Sequence, residues 1–117
     1  MTTPEDPVEA FDPRVALASL SGVSDATWAR RAREYAGCAF LGGIALDDAT
    51  REAARSLLDR DREEFLPADP IGFIDRELAA TADLPMRVGF NVRSATPGPV
   101  GEAASVCADH GAILELN

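Results

Sequence analysis

The chain has 117 residues, 20 acidic against 11 basic side chains, and a net charge of −9 at neutral pH. One domain at most fits this length, and a domain of this size buries only about two thirds of its unfolded surface. With 46% hydrophobic and 26% charged residues it has a globular rather than a disordered composition. No run reaches the roughly 18 apolar residues of a membrane span, and Met1 to Asp12 lacks the basic start and apolar run of a signal peptide. The expected location is therefore cytoplasmic, with no membrane partner.

All 11 bases are arginine, lysine is absent, and alanine is the commonest residue with 21 copies. A charge of −9 on so small a surface repels itself at low ionic strength, and concentrated salt removes that cost. The acidic excess thus reads as halophilic adaptation. A GC-biased genome is the rival explanation for the missing lysines, but it does not explain the acids. An acidic, lysine-free surface is also a poor general grip on nucleic acid, which needs clustered cations. Cys38, Cys107 and the single His110 fall short of the about four ligands of a zinc site, so no metal is expected. Both cysteines read as small buried hydrophobes, and spacing leaves a disulfide between them open.

Residues 1–13, rich in proline and acid, read as a flexible leader, and order is expected over 14–117. Val15 to Leu20 is a short apolar run with the look of a strand buried on both faces. Ser24 or Asp25 then caps a helix through Trp28 and Tyr35, with Gly37 as its left-handed stop. The unit repeats: Cys38 to Leu41 is a second buried strand ended by Gly42 and Gly43, and Asp47 and Asp48 precede a helix from about Ala49 to Glu64. That helix buries Ala53, Ala54, Leu57 and Leu58, while Arg51, Arg55, Arg60 and Arg62 lie among acids as a solvated surface. Asp69 and Pro70 open another helix, with Ile71, Ile74, Leu78 and Ala82 on one face. Beyond Pro85, Met86 to Val92 alternates as a strand, Val100 to His110 forms a helix stopped by Gly111, and Ala112 to Asn117 is a last apolar strand.

Four strands with helical returns predict an α/β fold with parallel strands and right-handed crossovers. An open doubly wound sheet fits, and so does half of a (β/α)8 TIM barrel, which needs about 250 residues when whole. The last strand, so apolar, expects a neighbour on each side and a covering helix. The chain is accordingly read as the N-terminal half of a TIM barrel, truncated after its fourth strand.

In either architecture the site lies at the carboxyl ends of the strands. The candidates are Ser19, Leu20, Ser21 and Gly22 after the first strand, Gly42 and Gly43 after the second, Asn91 and Arg93 at the third, and Asn117 at the fourth. Glycines admit a ligand close to the backbone, and amides donate to and accept from a planar heterocycle. No nucleophile with its base is in plausible register, Asp47 and Asp48 read as helix caps, and Glu115 reads as a structural ion-pair partner.

Leu17 to Arg30, LASLSGVSDATWAR, resembles the opening signature of the tRNA-dihydrouridine synthases, LAPMAGVTD followed by an aromatic residue and arginine. Ala108 to Asn117, ADHGAILELN, is similar to that family's fourth strand, GADxIDIN. The resemblance covers 14–117. It implies a flavoprotein, an FMN-dependent oxidoreductase that reduces a uracil base in tRNA, with a nicotinamide cofactor as reductant. FMN would lie against Ser19, Leu20, Ser21 and Gly22. Gly89 aligns with a flavin-contacting glutamine, for which Asn91, on the same strand face, substitutes. Asn117 would face flavin and substrate, and Arg93 is a candidate grip on the RNA. Ser19 and Leu20 replace the family's usual proline and methionine, and Gly42 and Gly43 stand where it commonly has threonine and glutamate. The family's catalytic cysteine follows the fourth-strand asparagine, beyond Asn117, so no catalytic residue is expected in this chain, which alone is expected to be inactive without the C-terminal half of the barrel. The alternatives are an FMN barrel of the dihydroorotate or dihydropyrimidine dehydrogenase type acting on a free pyrimidine, and a non-catalytic half-barrel that forms a homo-oligomer through its exposed strand edges.

Overall fold

The structure, a computed structural model, describes residues 11–117. Four strands, β1 (Ala16–Leu17), β2 (Cys38–Ala45), β3 (Arg87–Arg93) and β4 (Ile113–Leu116), form one parallel sheet in the order β1-β2-β3-β4. The connections carry α1 (Ala26–Ala32), α2 (Asp48–Leu58), α3 (Pro70–Ala79) and α4 (Pro97–Asp109). The expected α/β class and its parallel strands are therefore present.

Side chains alternate across a strand, and here the two faces differ in kind. Ala39, Leu41, Val88, Phe90 and Val92 point to one side, where they form a single apolar core with Ala29 of α1, Ile74 and Leu78 of α3, and Ala103 and Cys107 of α4. Three crossover helices thus cover the same face. Cys38, Phe40, Gly89, Asn91, Ile113 and Glu115 lie on the other. Strand order runs without reversal, whereas a doubly wound sheet reverses its order and takes helices on both faces.

Local chemistry explains most boundaries. The Asp25 carboxylate accepts from the Trp28 amide at 2.9 Å and starts α1, and Asp69 accepts from the Gly72 amide at 3.0 Å and starts α3, with Pro70 in the first turn. Gly111, with φ +64°, follows the His110 C-cap and stops α4 as expected. That helix begins at Pro97 rather than Val100, because proline suits a first turn, where its missing N–H costs no hydrogen bond.

Other expectations are corrected by tertiary structure. β1 is a two-residue edge strand with Val15 exposed, not a strand buried on both faces, because β2 is its only neighbour. β4 is likewise a half-exposed edge. α1 ends at Arg33, and Gly37 is not left-handed; it is glycine because a side chain would run into the backbone of Asp12 and Pro13. Residues 1–10 of the expected leader lie outside the described residues, and its last two residues pack against Gly37. β2 continues through Gly42 and Gly43 to Ala45, with a bulge between Gly42 and Ile44. α2 stops at Leu58, six residues early: Asp61 turns with φ 58°, and Phe65 returns to bridge Ile44 and pack on Phe73, burial that outweighs the helical propensity of 59–64. Of its expected buried face, only Ala54 is fully covered. α3 ends before Ala82, which is exposed. β3 is buried on both faces at its centre, yet its alternation holds chemically, since Val88, Phe90 and Val92 face the helices and Gly89 and Asn91 the other side.

Cys38 and Cys107 are free, buried thiols. Burial pushes both thiols up from their ordinary range. Neither is therefore expected to react with a thiol reagent at mildly alkaline pH until the chain is unfolded in denaturant, when both react; a count of labelled thiols checks this. Phe90 is fully buried and meets Phe73 edge to face at 6.0 Å. Phe90→Ala should lower the unfolding free energy by about 3–5 kcal/mol, and Gly101→Ala, in an α4 position with open space around it, should raise it by about 0.5–1 kcal/mol. Urea titration in concentrated salt measures both.

Candidate functional site

The carboxyl ends of the four strands open on one rim. After β1 the chain turns through Ala18 to Asp25, and Ser24 fixes that turn. Its hydroxyl accepts from the Leu20 amide at 2.7 Å, and its carbonyl accepts from the Gly42 amide at 2.9 Å. Ser24 is buried, and the helix-cap role falls to Asp25 alone. Gly22, with φ +77°, lets the turn press on the chain beyond α2, where a Cβ would come within 2.6 Å of Glu63. Leu20 is left 55% exposed, and Ser19 and Ser21 are half-buried. A hollow lies beside them, lined by Leu20, Ser21, Leu57, Arg62 and Glu64 among others.

At the centre of the rim, the bulge in β2 sets Gly43 beside Asn91 of β3. The Asn91 carboxamide oxygen fills the place a side chain at 43 would take. Its Nδ2 donates to Glu115 Oε1 of β4 at 2.7 Å, and Asn91 and Glu115 are register partners. Glu115 was expected in an ion pair; its hydrogen-bond partner among the described residues is this neutral amide. Asn91 is only 7% exposed. Asn117 is exposed at the end of β4, its amide donating to the Val92 carbonyl at 3.0 Å.

Gly89 stands apart from the rim. A Cβ there would meet the Phe40 ring at 2.6 Å, so its small size seats that ring two residues below Asn91. Arg93 is also committed: Nη2 donates to Glu64 Oε2 at 3.3 Å, and the Glu64 side chain is 5% exposed against 26% for Arg93. This ion pair holds the chain beyond α2 to the end of β3. Asp47, at the N-cap position of α2, sends its carboxylate instead to the Ala95 amide at 3.1 Å. It thereby ties the loop after β2 to the loop after β3. The structure thus brings together Ser21 and Gly22 with the 63–64 segment, and Gly43 with Asn91 and Glu115. It leaves Gly89 lower in the sheet and joins Arg93 to an acid.

Ser24, Glu64 and the bond between Asn91 and Glu115 are absent from the sequence-derived candidates. The period-two spacing from Asn91 and from Glu115 gives the strand face of each, but register between strands 24 residues apart in sequence comes only from pairing. Among the described residues no group of three or more His, Cys, Asp or Glu side chains is arranged to hold a metal ion, and no helix is long and apolar enough to cross a membrane.

Fold and rim define a parallel α/β protein whose polar groups gather where its strands end. Over 109 residues the chain is 28% identical to an uncharacterized protein of Methanocaldococcus jannaschii, a match that takes in 92% of this chain and 42% of that protein. The chain therefore spans less than half the length of that relative. No family model matches the chain, and no solved structure matches it.

Arg93→Ala leaves the carboxylate of Glu64 buried without its cation. Breaking a fully buried pair costs about 3–5 kcal/mol; Arg93 keeps some contact with water, so about 2 kcal/mol is expected here. The change should also speed amide hydrogen exchange over residues 60–66, whereas Arg55→Ala, which removes an exposed pair with Glu52, should leave that segment unchanged. Exchange read by mass spectrometry separates the two.

Proposed function

We propose that this chain is the N-terminal half of an FMN-binding (β/α)8 barrel of the dihydrouridine-synthase kind, acting on a uracil base in tRNA. The observation that carries the reading is that the two segments bearing the resemblance, 17–30 and 108–117, end on the same rim of the sheet and are linked there through β2 and β3. The turn after β1 is bonded to β2 at Gly42, the bulge beside it seats Asn91, and Asn91 is bonded to Glu115 of β4. Unreversed strand order and crossover helices on one face support a half-barrel, since an eight-stranded ring is built of such units. The length of the Methanocaldococcus jannaschii protein, more than twice this chain's, leaves room for the other half.

The rim residues suit the ring end of FMN. Leu20 offers exposed apolar surface for a flat face, and Asn91 and Glu115 offer polar atoms for an edge. Its phosphate finds less, because Arg93 is engaged by Glu64; the phosphate site belongs to the C-terminal half in this reading. Bound FMN supplies hydride transfer, with a nicotinamide cofactor as its reductant. The residues of this chain hold the ring edge and shape the floor on which the base, taken out of its stack, is received. The catalytic acid lies outside the chain.

Both sheet edges are open among the described residues, which favours self-association of the 117-residue chain as a second reading.

The protein purified from its source in concentrated salt should be yellow and release FMN on denaturation, and a deletion strain should lack dihydrouridine at a tRNA position that the wild type modifies. A colourless protein that takes up no flavin overturns the reading. Flavin with unchanged tRNA moves the substrate to a free pyrimidine.

A further inference from the structure

We propose that a hollow at the amino ends of β3 and β4 binds a small carboxylic acid, with Arg87 as its anchor. The hollow lies at the opposite end of the strands from the rim, so it stands apart from the proposed flavin site. Its volume is about 130 Å³, below the range of about 300–1,000 Å³ that takes a drug-sized ligand. Three segments form its wall: the end of α3 with the turn after it, the start of β3, and the turn from α4 into β4. Charge decides what kind of ligand fits. The chain has 20 acids against 11 bases, yet among the described residues the wall holds Arg87 and His110 and no acid. The hollow beside Leu20, by contrast, is bordered by Asp61, Glu63 and Glu64. Of the acids that flank the wall in sequence, Asp83 takes bonds from Arg30 at 2.8 and 3.0 Å, Glu77 accepts from the Ala26 amide at 3.0 Å, Asp75 is bonded to His110 Nε2 at 2.7 Å, and Asp109 is exposed.

Arg87 is half-buried, and among the described residues its guanidinium makes no hydrogen bond or ion pair, although Asp12 borders a second hollow beside it. A partly desolvated cation without a partner is stabilised by an anion, and a carboxylate meets a guanidinium through two parallel bonds. His110 supplies a second donor. A carboxylate only accepts, so Nε2 gives its proton to Asp75; Nδ1, which has no partner among the described residues, donates to the ligand once the ring carries a second proton. The Thr81 hydroxyl is spent on the Leu78 carbonyl at 2.8 Å. The other side chains of the wall are mostly apolar, Leu78, Leu84, Met86 and Val88 among them. They suit a short hydrocarbon stem, whereas a free phosphate would have its oxygens desolvated against them. A ligand bound here joins segments that separate on unfolding, so it stabilises the folded chain as its occupancy rises.

The test titrates the 15N-labelled chain with butyrate, butylamine and inorganic phosphate in concentrated potassium chloride, at about pH 6, where an ordinary imidazole is mostly protonated. Butyrate should saturably shift the Arg87 side-chain Nε–H and the backbone amides of Arg87, Gly111 and Ala112, and should raise Tm. Butylamine, of the same length and opposite charge, should do neither, and phosphate should bind more weakly than butyrate. Arg87→Gln should weaken butyrate by at least about tenfold, while Arg55→Gln, which removes an exposed arginine of α2, should leave its affinity unchanged. If Arg87→Gln fails to fold, the comparison of the three compounds on the unmutated chain carries the test by itself. The absence of a saturable shift with butyrate, an equal response to butylamine, a phosphate affinity as high as that of butyrate, or full butyrate affinity in a folded Arg87→Gln chain overturns the inference.

Discussion

A parallel sheet whose crossovers all return over one face has a dry side and an open side, and the rest of this molecule is arranged around that inequality. Ala39, Leu41, Phe90 and Val92 are buried because three helices cover them. The same crossovers leave Phe40, Asn91, Ile113 and Glu115 looking the other way. The apolar face supplies the driving force for folding, since burial stabilises in proportion to area. The polar groups of the strands lie on the face without helices, where the buried Asn91 amide is satisfied by the Glu115 carboxylate.

The bulge at Gly42 and Gly43 gives that open face its shape. A side chain at position 42 would press on the Asn91 carbonyl and the Phe90 ring, and one at position 43 would displace the Asn91 amide. Two glycines in a central strand weaken it. They are sustained by pairing along both edges of β2 and by the Ser24 carbonyl, which takes up the Gly42 amide. One local irregularity thus joins the turn after β1 to the polar row of β3 and β4.

Electrostatics outside the rim is mostly surface chemistry. Arg30 with Asp83 and Arg55 with Glu52 are exposed pairs that salt screens. Arg93 with Glu64 differs because its acid is buried, so it fixes how the chain beyond α2 approaches the strand ends. With no lysine and −9 overall, this α/β domain carries little cationic surface. In the proposed function the grip on phosphate therefore falls to the other half or to concentrated cations.

The sequence by itself determined the elements whose causes are local. Asp25, Asp69 with Pro70, and Gly111 set helix ends through neighbouring amides and backbone angles, and the alternation of Val88, Phe90 and Val92 with Gly89 and Asn91 set which side chains share a face. It also pointed to the strand ends as the place for a site, because in parallel α/β proteins those ends face one way. Tertiary structure decided the rest. Helical propensity from 59 to 64 yielded to the burial of Phe65 and Glu64, Gly89 proved to be a seat for Phe40, Arg93 was drawn to Glu64, and Glu115 met an amide instead of a cation. Each of these turns on the register and approach of segments distant in the chain, and a pattern read along one strand holds no information on what its neighbour places opposite.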